Sequence, residues 1–155
     1  MEINVEHINP FLMAATSIIK SICGFDMKIG KLFIKDTSFD NDSIIIMIGI
    51  TGEMRGQVMI VMTCDVACNI ASKMMMGMPV TQLDEMAISA ISELGNMIMG
   101  NAATIFSTKG IGIDITPPTV CQGNVTITRT GMKNICIPLN GGDIIVELDI
   151  AVKGD

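Results

Sequence analysis

The stretch Ser43-Ile44-Ile45-Ile46-Met47-Ile48-Gly49-Ile50-Thr51-Gly52-Glu53-Met54-Arg55-Gly56-Gln57-Val58-Met59-Ile60-Val61-Met62 decides the fold. Residues 43–51 and 54–62 are β-branched and Met-rich runs, and Gly-Glu-Met-Arg-Gly at 52–56 separates them, so they read as two strands joined by a tight turn. Ile44 to Ile48 is apolar at successive positions, so both faces of that strand are apolar. A similar run at 28–36, set off by Asp40-Asn41-Asp42-Ser43, makes three consecutive antiparallel strands the expectation.

Outward from this stretch the helices declare themselves by caps and period. Residues 10–23 follow Asn9 as N-cap, with Pro10 in the first helical position and Gly24 to end the helix. Residues 65–76 read as a second helix that stops at Gly77 with Pro79 beyond, and a longer one runs from about Leu83 to Phe106, closing near Gly110. From Ile111 to Val152, turn signals at Pro117-Pro118, Gly123-Asn124, Gly131 and Gly141-Gly142 alternate with Val, Ile and Thr-rich runs, which predicts strands and hairpins. The order helix, strands, helices, strands is α+β, an antiparallel sheet with helices packed on one face. No linker interrupts residues 1–155, so one domain is expected, and its two halves share a loose plan of a helix followed by a punctuated hairpin.

Composition restricts what such a domain can do. At 155 residues it can bury a full core, and 49% hydrophobic against 17% charged residues excludes a disordered chain. A net charge of −6 with no basic run argues against nucleic acid and anionic membrane as partners. Five Phe without Trp or Tyr leave no stacking platform for single-stranded bases. The N-terminal Met-Glu-Ile-Asn-Val-Glu-His is acidic where a signal peptide would be basic, and no apolar stretch is long enough to span a bilayer, so a cytoplasmic location is expected. Five scattered cysteines, at 23, 64, 68, 121 and 136, fit reduced, buried thiols better than a disulfide framework.

The long helix carries the chemistry. At 100° per residue, Glu93, Asn96 and Gly100 lie within about 40° of Ser89. The apolar residues Ala87, Ile88, Ala90, Ile91, Leu94, Ile98, Ala102 and Ile105 fall on the other side, suited to the sheet. Asn101 falls within that apolar arc without an evident reason. Spacing alone describes the wet face of any amphipathic helix. The small residues Ser89, Gly95 and Gly100 beside the stripe suggest that something approaches the backbone closely, because an interior helical Gly costs roughly 1 kcal/mol against Ala. Met86, Met97 and Met99 lie nearer the edges of the stripe, where flexible thioethers suit an adaptable docking rim.

Other candidates are weaker. His7 is the single histidine and sits near the N-terminus, a poor place for a His-dependent triad. Cys64-x3-Cys68 has helical spacing, yet without a second pair nearby it does not make a structural zinc site, so no metal site is expected. The glycines at 49, 52 and 56 and at 141 and 142 read as hairpin turns, not phosphate cradles, because no Lys-Ser/Thr or βαβ context follows. Glu85 lies close to Glu93, and an exposed solvated carboxylate explains it.

At Ser89-x3-Glu93-x2-Asn96, followed by Pro117-Pro118, the chain resembles the CheX, CheC and FliY group of chemotaxis phosphatases. The family pattern is Asp or Ser, three residues, Glu, two residues, Asn, and then a Pro further on. The surrounding Gln82-Leu83-Asp84-Glu85-Met86-Ala87-Ile88-Ser89-Ala90-Ile91-Ser92-Glu93-Leu94-Gly95-Asn96-Met97 and Asp114-Ile115-Thr116-Pro117-Pro118-Thr119-Val120 are similar to CheX in particular. Glycine-punctuated strands such as Ile48-Gly49-Ile50-Thr51-Gly52 extend the resemblance over nearly the whole chain.

The resemblance implies a phosphatase that hydrolyses the aspartyl phosphate of a CheY-like receiver. The receiver would supply the phosphoaspartate and the Mg²⁺, and this chain would bring no cofactor of its own. It further implies that Asn96 positions the attacking water and that Glu93 pairs with the receiver's active-site lysine. Ser89 and Pro118 match motif positions of structural use. The resemblance also implies a homodimer joined through its sheets. CheC uses the motif on two helices; here Glu6-x2-Asn9 shares the spacing, but Pro10 places Asn9 at a helix start, so one site per chain is expected. The rival expectation is a non-catalytic, dimeric binding or adaptor module for a receiver or a flagellar switch protein.

Overall fold

The computed structural model describes residues 5–34, 38–39, 42–123, 125–126 and 134–154. In chain order the elements are α1 (Asn9–Cys23), β1 (Lys28–Ile29), β2 (Phe33–Ile34), β3 (Ser38–Phe39), β4 (Ser43–Gly52), β5 (Met54–Thr63), α2 (Cys64–Met74), α3 (Glu85–Thr108), β6 (Ile113–Ile115), β7 (Thr119–Gln122), β8 (Val125–Thr126), β9 (Ile135–Asn140) and β10 (Ile145–Gly154).

β4 and β5 form the hairpin expected, with Ile44 opposite Met62 and Ile50 opposite Gly56. Their pairing ends at Ile50 with Gly56; beyond it Thr51 and Gly52 pair with β6 and Met54 and Arg55 with β10, and Gly52 takes a φ of 105° that an L side chain rarely adopts. Gly49 and Gly56 therefore belong to strands and not to the turn. An ideal Cβ on Gly56 would lie 2.0 Å from the Ala151 carbonyl oxygen, so the missing side chain lets β10 pair closely with β5.

The sheet runs β1-β9-β10-β5-β4-β6, with β2 also on β9 and β7 also on β4, and every pairing is antiparallel. The two long hairpins, β4–β5 and β9–β10, meet at the β5–β10 seam. The expectation of three consecutive strands from residue 28 is corrected. Residues 28–29 and 33–34 cross to the far edge and pair with β9, not with β4. Gly30 breaks the run and presses on Pro138, whose carbonyl accepts its N–H at 2.8 Å. Residues 35 and 36 of that predicted strand lie outside the described residues, as do the turn residues Asn124 and Gly131. The Gly141-Gly142 turn closes β9 on β10, with Gly142 at a φ of 85°.

Helix starts differ from expectation in one place. A 3-10 turn over Val5–His7 runs into α1, so Asn9 is already helical and Ile8 stands at the cap with no side-chain bond. Gly24 ends the helix in the left-handed region and donates to the Lys20 carbonyl, as its position predicted. α2 spans Cys64–Met74 with Thr63 as its cap, and α3 begins where the Asp84 side chain accepts from the Ala87 N–H at 2.9 Å.

All three helices pack on one face of the sheet. Phe11 of α1 and Phe106 of α3 meet edge-on at 5.1 Å between ring centres, both fully buried with Ile46, Ile48 and Ile60 of the sheet. Full burial of each such side chain is worth about 1.5–3 kcal/mol. Alternation sends Ile45, Met59 and Val61 to the opposite face, where they form a second, smaller buried cluster, so β4 is indeed covered on both sides. No helix among the described residues is long and apolar enough to cross a membrane.

Candidate functional site

α3 has the two faces its periodicity predicts. Ala87, Ile91, Leu94, Ile98, Ala102 and Phe106 are buried against sheet and α1, while Ser89, Glu93 and Asn96 are exposed. Glu93 and Asn96 are one turn apart on the solvent face, and among the described residues neither side chain is tied up by a hydrogen bond or ion pair. A carboxylate acceptor and a carboxamide that both donates and accepts thus stand side by side, presented on a rigid element.

The small residues near the stripe have different roles. Gly95 is buried, and a Cβ there would meet the Ile46 Cγ2 at 2.8 Å, so its close approach is helix against sheet and not helix against a partner. Gly100 is different: it is half-buried with nothing within 4 Å of a built Cβ, leaving an open notch beside Asn96. Of the methionines expected at the rim, Met86 is 62% exposed one turn before Ser89 and Met97 is half-buried, but Met99 is fully buried in the core. That last expectation is corrected: at 100° per residue Met99 lies within about 40° of the buried Gly95 and Phe106 and turns with them toward the core. Asn101 is half-buried, and nothing in the structure explains it.

Pro118 is half-buried in the connection between β6 and β7, and both of those strands touch α3. Thr116 pins this connection to β4, donating its N–H to the Gly49 carbonyl at 3.0 Å and accepting the Gly49 N–H on Oγ1 at 2.8 Å. The loop is thereby fixed on the edge of the sheet that α3 covers.

Elsewhere, Glu6 lies in the 3-10 turn and Asn9 opens α1, both exposed. Glu85 is exposed in the first turn of α3. The five cysteines are free, as expected, but only Cys23 and Cys136 are buried; Cys64, Cys68 and Cys121 are half-buried. Burial first, and the adjacent Cys64 next, push the Cys68 thiol up. Among the described residues, the thiol and carboxylate side chains close enough together to hold an ion are those of Cys136, Glu147 and Asp149, on the sheet face away from the helices. It escaped the sequence reading. Its signal was Glu147-x-Asp149 inside an apolar strand, two acids on the same face of β10.

The arrangement of α3 over an antiparallel sheet defines a CheC-like protein. A CheC-like superfamily protein from Shewanella sp. PV-4 superposes with a TM-score of 0.87 at 29% identity, covering 98% of this chain and 100% of that one. The chain in a CheX-CheY-BeF₃-Mg²⁺ complex from Borrelia burgdorferi matches with a TM-score of 0.78 at 29% identity, over 94% of this chain and 97% of that one.

The sequence narrows this class further. The family described as chemotaxis phosphatase CheX matches residues 44–140, which include the whole stripe. The CheY-P phosphatase CheX of Thermotoga maritima is 37% identical over 116 residues, 75% of each chain. The chain belongs to the CheX family of chemotaxis phosphatases.

Proposed function

We propose that this chain accelerates hydrolysis of the aspartyl phosphate on a CheY-like receiver, with Asn96 orienting the attacking water and Glu93 anchoring the complex on the receiver's active-site lysine. The observation that carries the proposal is the pair of exposed, uncommitted side chains one turn apart on α3, within the segment matched to the phosphatase family. A carboxamide accepts from water without changing its protonation, so Asn96 contributes orientation and not proton transfer. A carboxylate on a lysine is a charge-assisted contact that fixes how α3 enters the partner.

The Borrelia burgdorferi complex supports this reading, since it joins a CheX to a CheY with Mg²⁺ and BeF₃, the latter a chemical stand-in for a phosphoryl group. Ser89 and Gly100 then leave room beside the inserted pair, and Pro118 shapes the flanking loop. One domain suffices for this task, with one site per chain. Free thiols fit a cytoplasmic setting.

The proposed assembly is a homodimer. Support comes from the outer edge of the sheet, where Ile29, Phe33 and Ile34 of β1 and β2 are between 43% and 55% exposed. Exposed apolar edge strands invite pairing with another chain.

The test is phosphate release from a phosphorylated CheY-like receiver, with the wild-type chain and with Asn96→Ala. Acceleration by the wild type and not by the variant supports the proposal. Intrinsic decay unchanged by both overturns it in favour of a binding or adaptor module.

A further inference from the structure

On the face of the sheet away from the helices, register brings Cys136 of β9 opposite Asp149 of β10, with Glu147 two residues earlier on the same face. One ligating atom from each of these three residues lies within 4.8 Å of the others. Cys136 and Asp149 are fully buried, and Met59, the register partner of Asp149 on β5, is an equally buried apolar wall. Asn134 is 6% exposed and donates Nδ2 to Asp149 Oδ2 at 3.1 Å.

This polar group is poorly compensated by the protein. Asp149 Oδ1 and Asn134 Oδ1 are both buried and have no hydrogen-bond partner, and a buried acceptor left in that state costs about 1–3 kcal/mol. The charged groups acting on Cys136 are Asp149 and Glu147, and the one acting on Asp149 is Glu147. Burial first and Glu147 next push the Asp149 carboxyl up to about 7, and burial first raises the Cys136 thiol. Hydrogen bonds from Asn134 and Cys136 act the other way on Asp149, yet its Oδ1 is left without a partner.

We propose that Cys136, Glu147 and Asp149 bind a Zn²⁺ ion that clamps β9 to β10, with Asn134 orienting the Asp149 carboxylate through its Nδ2 donor. A thiolate selects a borderline-soft ion over Mg²⁺ or Ca²⁺, and two carboxylates with one thiolate suit Zn²⁺. Donor atoms in a tetrahedral zinc site are roughly 3–4 Å apart, so the present spacing closes by side-chain rotations of about 1 Å. The bound ion would satisfy the orphaned Asp149 oxygen directly. Cys136 and Asp149 are fully buried between two paired strands, so the role of the ion is structural. The sheet separates it from Asn96, and the proposal stands independently of the phosphatase reading.

The experiment uses the untagged, chelator-treated full chain. Equilibrium dialysis against Zn²⁺ at micromolar free concentration is expected to give one ion per chain and a thermal midpoint raised by several degrees. Cd²⁺ is expected to give an ultraviolet thiolate charge-transfer band, kept in Cys64→Ser/Cys68→Ser and lost in Cys136→Ser. Should Cys136→Ser fail to fold, the half-buried Glu147→Gln serves, with a predicted tenfold or greater loss of Zn²⁺ affinity. Absence of Zn²⁺ uptake by the wild type, a Cd²⁺ band that survives Cys136→Ser, or unchanged affinity in Glu147→Gln overturns the proposal.

Discussion

Glu93 and Asn96 differ in what a partner would ask of them, and substitution separates the two tasks. Glu93→Gln removes a charge and keeps the shape, so it is expected to raise the KM for phosphorylated receiver by about tenfold with kcat little changed, since a hydrogen bond to a charged group is worth about 1.5–3 kcal/mol. Steady-state kinetics at varied receiver concentration check this; an unchanged KM would remove Glu93 from the docking contact. Gly95 acts on the opposite face of the helix. A methyl group there meets Ile46 at 2.8 Å, so Gly95→Ala is expected to destabilise the fold by about 1–3 kcal/mol in urea unfolding, as overpacked cores do. At this scale the sequence was readable only in part. Gly95 was grouped with the stripe for its size, although at 100° per residue it falls about 120° from Ser89, between Ala102 and Ile88, on the side that the structure packs against the sheet.

α3 is the element on which everything depends, and its ends and notch make separate predictions. Asp84 caps it through the Ala87 N–H, so Asp84→Ala is expected to cost about 1 kcal/mol by the same unfolding measurement. Gly100→Ala has the opposite sign for stability. With nothing within 4 Å of the new methyl, the helix gains about 0.5–1 kcal/mol, while a filled notch beside Asn96 weakens receiver binding. A titration calorimetry result showing full affinity in that variant would make the notch incidental. α3 was legible because twenty-four residues of strong period fix both its existence and its faces. β1 and β2 were not, because two residues apiece carry no period and their choice of β9 over β4 is made by tertiary pairing around Gly30 and Pro138. The Cys136, Glu147 and Asp149 group was hidden for a related reason: a thiol and two carboxylates become neighbours only once the β9–β10 register is known.

In the whole molecule, one antiparallel sheet divides two surfaces with different duties. The helical side exposes Glu93 and Asn96, and the other side holds the buried Cys136 and Asp149 with the half-buried Glu147. In the proposed mechanism the chain supplies a carboxylate and a carboxamide, while phosphate, nucleophilic aspartate and Mg²⁺ would come with the receiver, so the active site would be complete only in the complex. The outer edge formed by β1 and β2 is expected to join two copies, and Ile34→Lys should shift sedimentation toward the monomer without abolishing phosphatase activity, because that edge lies across the sheet from β4 and α3.

The central claim is that a neutral carboxamide does the work of orienting water. Its most direct test is single-turnover decay of a phosphorylated CheY-like receiver at saturating concentrations of this chain, alongside a binding measurement on the same samples. Asn96→Ala is expected to bind the receiver still, yet to lose about 10²-fold or more of the accelerated rate. Wild-type acceleration retained by Asn96→Ala at full binding would contradict it.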